Sequence, residues 1–163
     1  MISLRQFQTS DAELLVSYLN TPEVTQYITA SIPTPYTNTD ALWWIEHADQ
    51  NEYIQAIEYK GKFVGCISAT VGQFEYANSA ELGYWIGKAF WNLGITTEAV
   101  KQFVELLFGT NKLNRLFVSV VAKNIASIRV LEKNGFVCEG TLKHASHKNG
   151  QYFDECLMAK LLK

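Results

Sequence analysis

A glycine followed by hydroxyl residues at a helix start can hold an anion, and this chain has such a place. In FWNLGITTEAVKQFVELLF, residues 90–108, Gly94 stands just ahead of a strongly periodic helical pattern. Around it lie Asn92, Leu93, Ile95, Thr96 and Thr97. A helix start leaves several backbone N–H groups without carbonyl partners, and the macrodipole adds partial positive charge there. A glycine at that point lets a ligand approach the backbone closely, and a pyrophosphate suits such a turn. The chain has no Gly-Lys-Ser/Thr loop and no Gly-x-Gly-x-x-Gly run, so neither common nucleotide fingerprint applies. Taken alone, Gly94 also fits a plain loop with Thr96 as N-cap.

A second group of polar residues occurs in AKNIASIRVLEKNGF, residues 122–136. Asn124 follows an apolar run, and Ser127 lies three positions on, in helical register with Leu131. The plainer reading makes Asn124 an N-cap and Ser127 a small helix residue bonding its own backbone.

The elements that would position these residues can be read from periodicity. A short strand is expected over 2–8, and Ser10-Asp11-Ala12-Glu13 has capping-box spacing ahead of a helix carrying Leu14, Leu15, Tyr18 and Leu19. The Pro33–Pro35 stretch breaks regular structure. A helix over 38–48 turns Ala41, Trp44, Ile45 and Ala48 inward and Trp43 with His47 outward. Three strands follow as an antiparallel meander, YIQAIEY, KFVGCISATV and SAELGYWIGKAF, the first turn at Lys60-Gly61. A helix over 96–108 stops at Gly109. RLFVSVVA, 115–122, is almost continuously apolar, as a strand buried on both faces would be. A helix over 124–134 ends at Gly135, and two strands, 136–146 and 151–161, flank Lys148-Asn149-Gly150.

Composition narrows the function classes. With 163 residues, 48% of them apolar, the chain can bury a sizeable core and is expected to form one domain over 1–163. A net charge of −2 and a pI near 5.9 argue against general nucleic-acid binding, which needs a basic surface. No apolar run is long enough to cross a membrane and no secretory leader is evident, so a cytoplasmic location is expected. Cys66, Cys138 and Cys156 are odd in number, far apart in sequence and set in apolar runs, without metal-ligand spacing. They read as buried free thiols.

The order of these features resembles the GNAT N-acetyltransferase superfamily, specifically its RimJ/RimL-like branch. AELGYWIGKAFWNLGITTEAV, 80–100, and NIASIRVLEKNGF, 124–136, carry the resemblance, supported by GTLKHA and YFDECLMAKLL. It implies a mixed α/β (α+β) fold with a central, mostly antiparallel sheet splayed between its two middle strands and helices on both faces. It also implies acetyl-CoA as co-substrate, wedged between the strands at 80–87 and 115–122, with no metal. The family's phosphate turn, Gln/Arg-x-x-Gly-x-Gly/Ala, falls on Trp91-Asn92-Leu93-Gly94-Ile95-Thr96. Gly94 is kept, whereas Trp91 and Thr96 depart from the pattern. The amides from Asn92 to Thr97, with Asn124, are the implied cofactor contacts.

By the same resemblance, an amine attacks the thioester directly. The developing oxyanion is met by a backbone N–H around Trp85 and Ile86. The tyrosine that many relatives use on the later helix aligns with Leu131 here, and the resemblance to RimL-like members, which look instead to the serine of Asn-x-x-Ser, implies Ser127 at the leaving sulfur. A glutamate used as base in the RimL branch aligns with Ser146, so Glu81, His144 and His147 remain as candidate bases. The acceptor is a primary amine, either a peptide N-terminus or a small amine such as a polyamine, antibiotic or metabolite. Recognition is expected from the first helices, with Tyr36, Trp43 and Tyr152 as candidates. A monomer or homodimer fits equally, and so does a coenzyme-A-binding sensor with decayed catalysis.

Overall fold

The computed structural model describes residues 1–162. Seven strands form one sheet in the order β1-β2-β3-β4-β5-β7-β6. They are β1 (Ile2–Arg5), β2 (Ile54–Tyr59), β3 (Lys62–Val71), β4 (Ser79–Ile86), β5 (Arg115–Val121), β6 (Val137–Lys148) and β7 (Gln151–Leu161). The helices are α1 (Ala12–Leu19), α2 (Pro22–Thr25), α3 (Asn38–Asp49), α4 (Ile95–Gly109) and α5 (Ile125–Lys133). β4 and β5 pair in parallel, and α4 is the crossover that a parallel pair requires. Their ladder registers three pairs, Ser79–Glu81 against Arg115–Phe117.

The chain divides into two compact units. One comprises Met1–Ser68 with Tyr84–Ala99, and the other Ala69–Gly83 with the chain from Val100 onward. In the first unit, Phe7, Leu15, Ala41, Ile45, Ala56 and Phe63 form the core. Its aromatic rings pack at angles, with Phe7 and Phe63 centroids 5.5 Å apart and Trp85 edge-on to Tyr18 at 6.2 Å. The helix start near Ser10 differs from expectation. Asp11, not Glu13, supplies the carboxylate, accepting from Gln8 N–H at 2.9 Å. Asp11 is buried and takes a two-pronged contact from Arg5, at 2.8 and 2.9 Å. Arg5 also donates to Glu58 at 2.6 Å, which ties β1, the α1 entry and β2 together. Tyr36 is buried in this core. Trp43 is 63% exposed and stacks on His47.

In the second unit the fully buried side chains include Phe103, Leu107, Leu116, Leu131 and Met158. β5 is not buried on both faces. Leu116, Val118 and Val120 are buried, whereas Phe117, Ser119 and Val121 are half-buried. The apolar run therefore alternates after all, and Ser119 marks the more open face. α5 closes with a Schellman turn: Phe136 N–H reaches Leu131 O at 3.1 Å, Gly135 N–H reaches Glu132 O at 3.0 Å, and Gly135 takes φ +80°. β6 and β7 meet at Asn149-Gly150, both at positive φ, the turn that a right-twisted two-residue hairpin favours. That hairpin corrects the reading of the cysteines. Cys138 is exposed and Cys156 half-buried, and they lie against each other as diagonal neighbours across the hairpin, where the register shifts. Only Cys66 is the buried free thiol that its apolar run implied.

Candidate active site

The glycine turn lies between the end of β4 and the start of α4. Gly94 adopts φ +75° and Asn92 φ +61°, both in the left-handed region, so the chain reverses twice within three residues. Such alternation aims successive N–H groups into one concavity, an arrangement suited to anions. α4 begins at Ile95, which puts Thr96 inside the first turn instead of at the cap. The first α4 hydrogen bond to a carbonyl of the turn is Glu98 N–H to Gly94 O, at 3.2 Å. The amides of Gly94, Ile95 and Thr96 lie ahead of it, at the helix end where intrahelical carbonyl partners run out.

Space at Gly94 is not the constraint. A Cβ built there meets nothing within 4 Å, so glycine is required by its backbone conformation. Leu93 is 57% exposed at the lip of the turn. Trp91 has a definite role in place of the family's Gln or Arg: its Nε1–H donates to Ile86 O at 3.1 Å, bracing the turn against the strand end. β4 comes unusually close to β3 just before this point. A Cβ on Gly65 would lie 2.3 Å from Trp85 O, so only glycine lets β3 pass there. Gly87 N–H then donates to Val64 O at 2.8 Å and holds the strand end. Trp85 and Ile86 are thus fixed in position by backbone contacts on either side.

In the second unit, Asn124 is the N-cap of α5. Its Oδ1 accepts from Ser127 N–H at 3.3 Å. The spacing of three that singled out this pair is the capping spacing, and it points Ser127 along the face of buried Leu131. Ser127 itself is half-buried.

Glu81 sits on β4 opposite Phe117 of β5. Residues of one strand alternate faces, so Phe117, Ser119 and Val121 share the face that Glu81 occupies. Glu155 on β7 pairs with Val121 and accepts from Ser119 Oγ at 2.7 Å. Glu81 remains exposed as a residue, yet its carboxyl is pushed above the ordinary carboxylate range, first by desolvation and second by the negative charge of Glu155. No local spacing pairs these two glutamates. The signal available was the polar Ser119 in an otherwise apolar run.

The β6–β7 hairpin carries the remaining candidates. His144 has φ +48° at an irregularity in β6, and its N–H donates to Asp154 Oδ1 at 2.9 Å. Asp154 is held below the ordinary range by that hydrogen bond and then by Lys143, 3.1 Å away. His144 stacks on exposed Tyr152 at 5.3 Å between centroids, His147 packs against the same ring at 4.7 Å with a 45° tilt, and His144, Tyr152 and Asp154 line a shallow cleft of about 220 Å³. Ser146 is half-buried and pairs with Phe153.

This strand order, with one parallel pair joined through a glycine turn and a long helix, is that of an acetyltransferase fold. The chain belongs to the acetyltransferase (GNAT) domain family, whose model matches residues 2–137. Over 98% of this chain and 92% of the relative, it is 28% identical to a Bacillus licheniformis protein described as the uncharacterized N-acetyltransferase p20. It is 27% identical to the L-amino acid N-acetyltransferase AaaT of Escherichia coli K12, over 98% of each. Among solved structures, Microcin C7 self immunity acetyltransferase MccE in complex with acetyl-CoA and AMP superposes with a TM-score of 0.83, at 26% identity over 99% of this chain and 92% of that one. Mycobacterium smegmatis RimJ in complex with CoA-disulfide gives a TM-score of 0.86 over 98% and 81%; at 22% identity that likeness shows the fold alone. The chain is an N-acetyltransferase, in a family that uses acetyl-CoA. None of the helices among the described residues is long and apolar enough to cross a membrane.

Proposed function

We propose that this acetyltransferase moves the acetyl group directly from acetyl-CoA to an α-amine, that of a peptide N-terminus or an amino-acid-like molecule. The observation that carries the reading is the turn from Asn92 into the start of α4, with left-handed backbone at Asn92 and Gly94 and no neighbour crowding the glycine. The turn fits a diphosphate: its donors are backbone N–H groups, so the departures at Trp91 and Thr96 leave the contact chemistry in place. Acetyl-CoA, when bound, supplies the thioester. Asn92, Leu93, Gly94, Ile95, Thr96 and Thr97 would hold its diphosphate, with Asn124 as a further contact.

The chain's own groups then divide three tasks. A main-chain N–H at Trp85 or Ile86 stabilises negative charge on the acetyl oxygen, and the bracing by Trp91 and Gly87 makes that donor preorganised. Ser127 hydrogen-bonds the departing sulfur, its backbone fixed by the Asn124 cap. Glu81 takes the proton of the ammonium, and its raised pKa brings a carboxylate closer to the range useful near neutrality.

Proton energetics favour an α-amine. Deprotonating an amine of pKa about 7.8 at pH 7 costs about 1 kcal/mol, whereas a lysine at about 10.4 costs nearly 5 kcal/mol. One carboxylate of modestly raised pKa suits the first task better than the second. The relative named for L-amino acids acts on molecules whose reactive nitrogen is an α-amine, which supports the same choice. The test compares thiol release from acetyl-CoA at pH 7 with two peptides, one with a free N-terminus and no lysine, the other N-blocked with a single lysine. Faster turnover of the first is expected. Preference for the lysine peptide overturns the acceptor assignment, and acetyl-CoA binding without turnover on a broad amine panel would mean a coenzyme-A sensor.

A further inference from the structure

We infer that Cys138 and Cys156 are a dithiol pair that closes to an intramolecular disulfide and staples the edge strand β6 to β7. The inference stands apart from the acetyl-transfer reading. Cys138 pairs in register with Met158, and Cys156 lies two residues from Met158 on the same strand, so both thiols project from one face of the hairpin. Diagonal neighbours of this kind are ordinarily about 7–8 Å apart. Here the register shifts between Cys138 and Gly140, one extra residue bends β6, and the two sulfurs stand 2.7 Å apart. Small rotations about χ1 bring them to the bonding distance of about 2.05 Å.

Accessibility sets the order of events. Cys138 is exposed, while Cys156 is half-buried and its thiol is pushed up to about 11, by burial first and by Cys138 second. The Cys138 thiolate is therefore the first nucleophile. With a small-molecule disulfide such as oxidised glutathione as oxidant, it attacks one sulfur, forms a mixed disulfide and expels one thiolate. The Cys156 thiol then gives up its proton and attacks the Cys138 sulfur. That step forms the Cys138–Cys156 bond and expels the second small thiolate. Two protein thiols are oxidised and one small disulfide is reduced to two thiols. β6 ends the sheet order, so the bond secures a strand that has a neighbour on one side only. The same hairpin carries His144, Ser146 and Tyr152.

The experiment treats the whole chain with oxidised glutathione or with dithiothreitol, then records intact mass, digested peptides and thermal unfolding. Expected are a loss of two hydrogens without adduct, a peptide linking Cys138 to Cys156, and a Tm higher by about 5–10 °C that dithiothreitol reverses. Cys138→Ser and Cys156→Ser each abolish the Tm rise, and Cys66→Ala retains it. Stable glutathione adducts at either cysteine without a cross-link, a link through Cys66, or no change of mass each overturn the inference. Because Cys138 is exposed, its serine variant keeps the fold and the comparison stays readable.

Discussion

Glu81 shows how a single side chain acquires its properties from strands distant in sequence. It lies at the head of an ordinary-looking strand. The register of β4 on β5 and of β5 on β7 sets it on the face where Ser119 holds Glu155. Both desolvation and Glu155 raise its pKa, and under the proposed role as base its ionisation is expected to set the acidic limb of kcat/KM. Glu155→Gln removes one of the two causes, and that limb is expected to move to lower pH. Glu81→Gln is expected to abolish the limb and lower kcat by about 10²-fold. A pH profile in which Glu155→Gln leaves the limb unmoved assigns the base elsewhere, with His144 next in line. The sign for stability follows from the same shift. The fold binds the Glu81 proton more tightly than the unfolded chain does, so its contribution is complete below the ordinary carboxylate pKa and is lost as pH rises through the raised value. Glu81→Gln is therefore expected to gain stability relative to wild type between acidic and neutral pH.

At the scale of elements, the meeting of β3 and β4 decides the geometry of the strand end. Gly65 is at ordinary strand φ, so its role is steric: a Cβ would sit 2.3 Å from Trp85 O and 3.0 Å from Ile86 Cα, both backbone atoms that cannot rotate away. Gly65→Ala is expected to lower stability by about 1–3 kcal/mol and, with the proposed oxyanion donor on the displaced element, to reduce kcat more than it raises KM for acetyl-CoA. Chemical denaturation alongside steady-state kinetics checks both. An alanine variant with unchanged stability and unchanged kcat removes Trp85 and Ile86 from the mechanism. Much of this element scale was legible beforehand. The helix stripes at 41–48 and 99–107, the Lys60-Gly61 and Asn149-Gly150 turns and the Asn134-Gly135 stop all recur, because each rests on periodicity or a local φ requirement. The misreading at the first helix start has a tertiary cause. The cap carboxylate was assigned to Glu13 where Asp11 serves, and Asp11 was chosen by its buried contact with Arg5, which no local spacing encodes.

For the whole molecule, ligand binding is the property that joins the site to folding. A ligand that binds only the folded state stabilises it by about 2.7 kcal/mol at a hundredfold excess over Kd, which for a chain of this size raises Tm by about 5–10 °C. Acetyl-CoA is expected to do this, and Gly94→Ala is expected to blunt it. A side chain at φ +75° costs about 1–2 kcal/mol and alters the turn without striking a neighbour, so the variant folds and its loss of shift reports on the turn. A wild-type melt unmoved by acetyl-CoA withdraws the turn as a diphosphate site.

The sequence by itself determined the family, the element order and the place of the anion turn, because these depend on residues adjacent along the chain: Gly94 before a helix, Asn124 three residues ahead of Ser127, and glycines at the turns. Tertiary structure decided which distant residues became neighbours. It set Glu155 and Ser119 beside Glu81, Trp91 against Ile86, and Cys138 against Cys156. The physical reason is that pKa shifts, bracing contacts and thiol pairs depend on distances through space. In a sheet those distances follow from register and bulges, which the order of residues within one strand does not specify.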